Sequence, residues 1–375
     1  MVRIPTLTIF SEPVEDSVTL LVDGQLYQGW KEVEIAKHLT SLCGSFSLSL
    51  TDSWSQDGRA WPLKVGDLVE VYMEEKKVIT GSIDRFEIEV EANHRTLTIS
   101  GRDKTGDLVD CSETTEPGEF RGLNLLQLAQ KFSSPFGMEV RAETEDLGEP
   151  FNPFTIRQGE TVFEALERGA RRGGLLLISD AEGNLVITRK NSRRASTELV
   201  QGVNILSAQA TFDHTERFSE YTVKGQSAGT DDFYGEEIST PLGKAEDRGI
   251  LRFRPLILIA EGSVDTSLAQ KRAEWEATVR AARSARVMIT TPGWKQVDGR
   301  FWEINETTPI QCPWIGMDQE MLIVSTIFHK SREKGTTTTL ELVRPDAFEP
   351  EPVIEKKSDP MEKLGIVEEL FREVA

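Results

Sequence analysis

The sequence is poor in cysteine and lacks long apolar runs. Its three cysteines, Cys43, Cys111 and Cys312, are far apart and form no Cys-x-x-Cys pair. This spacing argues against a disulfide framework and against a zinc cluster, and it favours assembly in a reducing cytoplasm. The longest aliphatic runs, 175–178 and 256–260, are far shorter than the roughly 20 residues that cross a bilayer. We therefore expect no membrane anchoring.

Basic residues are outnumbered by acidic ones. Lys and Arg number 43 and Asp and Glu number 62, which gives the 375-residue chain a formal net charge of −19. General nucleic-acid binders need a basic face, and proteins of anionic membranes need basic patches, so this charge argues against both classes. The apolar share of 38% is ordinary for a folded protein, and the length predicts about two to four domains.

Signatures of catalysis and of metal binding are missing. The chain has no His-Glu-x-x-His motif. Its one Gly-x-Ser-x-Gly spacing, at 225–229, opens a polar, glycine-bearing stretch where a nucleophile elbow needs a helix. Residues 101–106 have the glycine spacing of a phosphate loop, but Asp107-Leu108 follows where Lys and Ser or Thr are required. A calcium-like loop at Asp180 has Asn191 where a glutamate is needed. We therefore predict no catalytic residue, no metal site and no cofactor. The histidines are scattered: His38, His94, His214 and His329.

Strand patterns fill both ends of the chain. Phe46, Leu48 and Leu50 alternate with polar residues, and a period of two is typical of a half-buried strand. Similar short strands with turn residues between them continue to about residue 110, return at 203–212 and 219–224, and run from 285 to 343. Many short strands at this spacing indicate a barrel or a sandwich.

The middle of the chain has a helical texture. Leu125, Leu128, Ala129 and Phe132 have the i, i+3, i+4, i+7 spacing of an amphipathic helix. The segment 161–164 has the form of a capping box, which predicts a helix that runs to about residue 172. A hairpin of 175–179 with 185–189 follows. A third helix, rich in alanine, is predicted at about 266–285, with residue 265 or 266 as its N-cap.

Two stretches of the sequence resemble each other weakly. Residues 65–102 and 302–344 each contain a turn, a strand, a charged hairpin turn and a Thr-rich strand that ends in Gly-Arg or Val-Arg. Alternation of Thr with β-branched residues is common in strands, so a true duplication and chance similarity both stay open. A duplication would place two similar β-barrels in one chain.

Three further segments suggest contacts with partners. Residues 349–352 form an acidic, Pro-containing linker, and the residues after it predict a short amphipathic helix. Residues 154–162 resemble the opening of a peptidoglycan-binding LysM module, which leaves a glycan-binding or wall-degrading function as an alternative. A basic cluster at 189–194 is either a solvated linker or a site for phosphate or an acidic partner. We predict that the C-terminal helix binds a partner, and packing on its own subunit stays open as the alternative. Its apolar stripe contains Leu364, Val367, Leu370 and Phe371.

Residues 98–112 carry a specific family resemblance. A strand ends in Gly101-Arg102-Asp103, and Lys-Thr-x-Asp-Leu-Val-Asp-Cys-Ser follows it. This run is similar to the baseplate hub protein of contractile-tailed phages of the Mu type. Residues 44–50, 159–166 and 173–189 fit the same family, and the resemblance extends over about 5–348. It identifies Gly101, Arg102 and Asp103 as a family-motif turn.

The resemblance implies an α+β fold in which two β-barrels carry small inserted α/β domains. It implies a structural, non-enzymatic hub that assembles as a homotrimeric ring between the tail tube and a separate central spike. Other baseplate proteins would surround the ring, and DNA would pass through its lumen without specific binding, helped by acidic residues on the inner wall. The protein would assemble in the host cytoplasm and reside in the virion. Type VI secretion spike proteins share this hub fold, so the hub of an injection machine is a second alternative.

The resemblance and the residue patterns together predict five parts of the chain. Each barrel is strand-rich, and each insert contains at least one helix. The parts are 1–112 (first β-barrel), 113–192 (α/β insert), 193–226 with 286–348 (second β-barrel), 227–285 (small α/β insert with the long helix) and 349–375 (acidic linker and C-terminal helix).

Overall fold

The computed structural model describes residues 16–51, 63–90, 95–190, 193–226, 241–263 and 265–352. The fold is mixed, with many strands and few helices. The stripe Leu364, Val367, Leu370 and Phe371 lies outside the described residues, as does His94. The strands are β1 Val18–Val22, β2 Gln25–Tyr27, β3 Glu32–His38, β4 Ser45–Thr51, β5 Leu68–Met73, β6 Lys76–Val90, β7 Arg95–Asp103, β8 Glu119–Phe120, β9 Val140–Ala142, β10 Phe154–Thr155, β11 Leu176–Ser179, β12 Leu185–Thr188, β13 Leu199–Val200, β14 Ser207–Phe212, β15 Glu220–Gln226, β16 Leu242–Glu246, β17 Pro255–Ser263, β18 Ala285–Pro292, β19 Thr307–Cys312, β20 Met317–Ser331 and β21 Gly335–Val343.

In the described part of the chain, one helix is long and the others are short. They are α1 Gly106–Asp110, α2 Leu125–Ser133, α3 Val162–Arg172 and α4 Thr266–Arg283, with 3₁₀ turns at Ser134–Phe136, Pro313–Ile315 and Pro345–Phe348. The sequence predicted α2, α3 and α4, and the structure confirms them, including the reciprocal capping box of Thr161 with Glu164. Asp265 caps α4, because its Oδ1 accepts the backbone N–H of Leu268 at 2.7 Å. Among the described helices, none combines the length and apolarity needed to cross a membrane.

One strand prediction was wrong at its start. The expected strand 203–212 begins only at Ser207, and the residues before it form a turn. Asn204 causes this turn: its Oδ1 accepts the N–H of Val200 at 2.8 Å, and its Nδ2 donates to the carbonyl of Glu198 at 2.7 Å. A side chain that binds nearby backbone groups in this way competes with strand pairing.

Two five-stranded arrangements with the same order make up most of the main sheet. The first has the order β3-β4-β7-β6-β5 and the second has the order β14-β18-β21-β20, with β19 beside β20. The long strands β6 and β20 both contain 15 residues, and β7 and β21 both contain 9. The predicted similarity of 65–102 and 302–344 is therefore a structural repeat of equivalent strands.

Details of register support the repeat. Each long strand has a bulge at the same place, between Ile83 and Arg85 in β6 and between Ile323 and Ser325 in β20. Equivalent hydroxyl pairs also bridge equivalent strands, Ser49 with Thr98 at 2.7 Å and Thr290 with Thr339 at 3.2 Å. Antiparallel pairing of β3 with β20 joins the two arrangements into one sheet over a single hydrophobic core.

A second core lies beneath the helices that follow β7. Here α2 and α3 pack over the three-stranded sheet β11-β12-β9, and a separate buried cluster fills the space between them. The hairpin predicted at 175–189 is confirmed as β11 with β12. Its turn contains Gly183, which has a φ of +72°.

The described residues form two compact units, one that lies within 16–217 and 278–350 and one that lies within 218–277 and 351–352. The second unit contains the sheet β16-β15-β17 and the first part of α4. The helix packs very closely on β16 at Gly243, where a Cβ would lie 2.1 Å from the carbonyl carbon of Ala269. Gln270 fixes this contact, since it accepts the N–H of Lys244 at 3.0 Å and donates to its carbonyl at 2.8 Å.

Candidate functional site

The motif Gly101-Arg102-Asp103 lies at the end of β7, beside the bulge of β6 and just before α1. The sequence predicted a tight turn here. The structure instead extends the strand through Asp103 and places the short helix α1 after two turn residues. Three neighbouring residues thus meet three different environments, and each has a distinct physical role.

Gly101 allows two strands to approach closely. A Cβ at this position would lie 2.0 Å from the carbonyl oxygen of Ser82 and 2.8 Å from the ring of Phe46. Neither neighbour can move freely, because Ser82 is backbone within β6 and Phe46 is a buried core side chain. The position therefore requires glycine for steric reasons.

Arg102 holds α1 against the bulge of β6 from the surface. Its guanidinium donates to both carboxylate oxygens of Asp110, at 3.1 and 2.7 Å, and to Asp84 at 2.7 Å. These bonds to Asp110 and Asp84 raise the pKa of Arg102 above its ordinary value, and they hold the pKa of Asp110 below its usual range. All three groups are partly exposed, so solvent screens the interaction and its contribution is small.

Asp103 is a buried carboxylate with four donors. Its Oδ2 accepts the N–H of Gly44 at 2.6 Å and the hydroxyl of Ser179 at 2.6 Å. Its Oδ1 accepts the N–H of Thr105 at 3.0 Å and the hydroxyl of the same residue at 2.5 Å. Asp103 thereby ties the β3–β4 loop, the start of α1 and strand β11 to the end of β7.

Burial and hydrogen bonding act on Asp103 in opposite directions. Only 3% of the residue is exposed, and this burial raises the pKa of Asp103, while the bonds from Ser179, Thr105 and Gly44 oppose the rise. The nearby ammonium of Lys37 has a pKa lowered by its own burial, and the charge of Asp103 opposes that shift. The arrangement is a polar joint between the main sheet and the helical part, held by short charge-assisted bonds.

The structure gives little basis for a chemical role of the Asp103 site beyond holding these chain segments in place. Among the described residues, no group of three or more His, Cys, Asp or Glu side chains is placed to hold a metal ion. His329 lies 3.6 Å from Glu34 on the surface of paired strands, and burial lowers the pKa of His329. Residues 101–106, which share only the glycine spacing of a phosphate loop, form the end of β7 and the start of α1.

The basic cluster at 189–194 is engaged within the chain. Arg189 pairs with Asp146 at 2.8 Å, and Lys190 pairs with Glu349. Arg193 binds the fully buried carboxylate of Glu306 at 2.6 Å. Of the two interpretations left open, a solvated linker and a site for an anionic partner, the structure favours neither: the cluster serves internal ion pairs.

Two strand edges form a second candidate site that the sequence did not reveal. Along residues 85–90 of β6 and along β14, each strand has a paired neighbour on one side only within the described part of the chain. Both edges carry exposed apolar side chains, Ile88 and Val90 on one and Phe212 on the other. Alternation of Ile88 and Val90 with glutamates was visible in the sequence, but only the strand order shows that no described strand covers this edge.

Three family models match successive parts of the chain. Residues 17–103 match the N-terminal region of the Mu phage baseplate assembly protein GpP-like family, and residues 265–351 match the fourth domain of the Mu phage baseplate assembly protein GpP. Residues 105–189 match the second domain of the gp44-like baseplate hub proteins. The LysM-like segment 154–162 falls inside this last match, as an ordinary strand, turn and capped helix.

Whole-chain similarities agree with these matches. The chain is 35% identical over 348 residues to the baseplate hub protein gp44 of Escherichia phage Mu, with 89% of each chain covered. The 43 kDa tail protein of prophage MuSo2 from Shewanella oneidensis is 35% identical with a TM-score of 0.79, over 88% of this chain and 99% of that one. A tail protein from Neisseria meningitidis MC58 shares the fold with a TM-score of 0.75 at 24% identity, over 90% of this chain and 98% of that one.

Proposed function

Because the chain belongs to the baseplate hub family of phage Mu, whose members are structural proteins and not enzymes, we propose that it forms the hub ring of a contractile phage tail. The observation that carries this proposal is the 35% identity to a baseplate hub protein over 89% of both chains.

We propose that the ring is a homotrimer in which each chain supplies two β-barrels. The first barrel comprises 1–112 and the second comprises 193–226 with 286–348, with α/β inserts at 113–192 and 227–285. The repeated strand order supports this division, because two equivalent arrangements per chain let three chains present six similar units. Such a ring adapts a six-fold tail tube to a three-fold central spike.

The proposed ring also provides the channel through which the genome leaves. Three chains triple the formal net charge of −19, and acidic residues on the inner wall would repel DNA and prevent adhesion during ejection. The spike, the tube and other baseplate proteins are the proposed partners, and the virion baseplate is the proposed location.

Mass and shape in solution test the ring directly. Light scattering of the full chain at high concentration is expected to give three times the 42.0 kDa chain mass, and electron microscopy is expected to show a ring with an acidic inner wall. Sedimentation with purified peptidoglycan tests the alternative function on the same sample. A monomer that binds peptidoglycan would contradict the proposal.

We further propose that residues 349–375 attach the ring to a neighbouring baseplate protein through Leu364, Val367, Leu370 and Phe371. Deletion of 353–375 is expected to leave the thermal unfolding temperature of the chain within about 2 °C and to abolish recruitment into tails. A full-length chain with Leu364 and Phe371 changed to serine tests the same contact without a deletion and should show the same loss of recruitment. Normal tail assembly by the deleted chain would contradict this attachment.

A further inference from the structure

The two free strand edges are equivalent to two edges that are already paired inside the chain. In the repeat, β6 corresponds to β20 and β14 corresponds to β3. The internal partners β20 and β3 pair antiparallel from Ser325 opposite His38 to Lys330 opposite Val33. The chain therefore contains its own template for how an edge of the β6 type pairs with an edge of the β14 type.

Register can be transferred because the equivalences are fixed by hydrogen-bonded pairs. The shared bulge aligns Arg85 with Ser325, and pairing across the sheet aligns Ala208 with Val33. Applying the internal register to the free edges gives six pairs. They are Arg85 with Asp213, Phe86 with Phe212, Glu87 with Thr211, Ile88 with Ala210, Glu89 with Gln209, and Val90 with Ala208.

The transferred pairs are chemically complementary. Arg85 meets the carboxylate of Asp213, and Phe86 meets another aromatic ring. Ile88 and Val90 meet alanines on the core side of the sheet. Opposite charges and aromatic pairs directly across two strands each stabilise a sheet, and no two like charges face each other in this register. Backbone pairing alone fixes this register, so the complementary side chains support it independently.

The exposed fractions of equivalent side chains also indicate that no described strand lies beside these two edges. Phe328 in β20 is 3% exposed because β3 lies beside it, whereas its equivalent Ile88 in β6 is 58% exposed. Val33 and Ile35 in β3 are buried, whereas their equivalents Ala208 and Ala210 in β14 are only partly buried. Exposed apolar side chains along a flat unpaired edge are a liability for a free chain unless a partner strand covers them.

We infer that residues 85–90 of one protomer pair antiparallel with residues 208–213 of a second copy of this chain, in the six-pair register given above. This inference deepens the proposed function and rests on it. Each protomer offers one edge of each type, so the contact is head-to-tail, and in the proposed trimer three such contacts close a ring in which every such edge is paired. The main sheet then continues from one chain into the next.

A cross-link tests the register. The N–H of Leu39 donates to the carbonyl of Val324 at 2.7 Å, which marks this pair as hydrogen-bonded. Hydrogen-bonded and non-hydrogen-bonded pairs alternate along antiparallel strands, so Ala36 with Ile327 is a close, non-hydrogen-bonded pair. In the transferred register, Glu87 with Thr211 is equivalent to that pair. Both residues are exposed and polar. In a Cys111→Ser background, which removes the exposed native thiol, the Glu87→Cys/Thr211→Cys chain is expected to form intermolecular disulfides under mild oxidation. Dimers and trimers should appear on a non-reducing gel.

The matched control is Glu87→Cys/Ser207→Cys in the same background. It has the same strands, the same sheet face and the same number of thiols, but the second cysteine is displaced by four residues, about 13 Å along the strand. We expect at least tenfold less cross-linked product. A trimer by light scattering that cross-links no better in the first variant than in the control overturns the strand pairing and leaves the ring intact. A chain that stays monomeric and uncross-linked at all concentrations overturns both.

Discussion

Replacing Asp103 with alanine is expected to lower the free energy of unfolding by about 3–5 kcal/mol, because it removes the acceptor of four buried hydrogen bonds. The N–H groups of Gly44 and Thr105 and the hydroxyl of Ser179 would then lack a partner in a site that water barely reaches. The buried ammonium of Lys37 would also lose its neutralising charge. Thermal or urea unfolding of the full chain measures the change.

The adjacent arginine provides the control. Arg102→Ala removes three hydrogen bonds to carboxylates, but these lie in partly exposed surroundings, so the expected loss is about 1 kcal/mol or less. Asp103→Asn keeps the shape and one acceptor oxygen while its amide N–H₂ faces donors, so it should lie between the two. Equal effects of Asp103→Ala and Arg102→Ala would show that Asp103 is not a joint between elements.

The second large effect is expected for Gly101→Ala. The added methyl group would lie 2.0 Å from the carbonyl oxygen of Ser82 and 2.8 Å from the ring of Phe46, which is far inside contact distance. Strands β6 and β7 would have to separate where they cross the bulge, and the buried ring would have to leave its position. We expect a loss of about 3 kcal/mol in unfolding free energy and a lower yield of soluble protein.

Gly106 in the same motif is a matched control. A Cβ there would lie no closer than 3.4 Å to the side chain of Arg102, which is ordinary contact. Gly106 also begins α1, where alanine is a better helix former than glycine. Gly106→Ala should therefore leave the unfolding free energy within about 1 kcal/mol of the parent chain. Comparable losses in both variants would contradict the steric role of Gly101.

Local patterns predicted most of the elements. The alternation of Phe46, Leu48 and Leu50 correctly indicated a half-buried strand, since a period of two places every second side chain on the core face. The capping box at Thr161 correctly placed the start of a helix, because its hydrogen bonds span only three residues. Where a side chain acted on its own backbone unexpectedly, as Asn204 does, the strand prediction failed at its start.

The motif at residues 101–103 shows what local sequence patterns cannot predict. The sequence singled out Gly101, Arg102 and Asp103 through their resemblance to a family, but nothing local to them revealed their separate roles. Asp103 receives bonds from residues 59 and 76 positions away, and these meet it only when the strand, the loop and the hairpin are packed together. The requirement for glycine at 101 likewise depends on a neighbouring strand.

The amino-acid sequence by itself determined the periodicity of the strands, the ends of the helices, the acidic charge and the family. The tertiary structure alone decided that two repeats join through β3 and β20, that Asp103 is buried, and that the edges of β6 and β14 lack neighbours among the described residues. The physical reason is the separation along the sequence over which each interaction acts. Side-chain periodicity and capping act within a few residues of the chain, whereas strand pairing and burial depend on groups far apart in sequence that only the folded chain brings together.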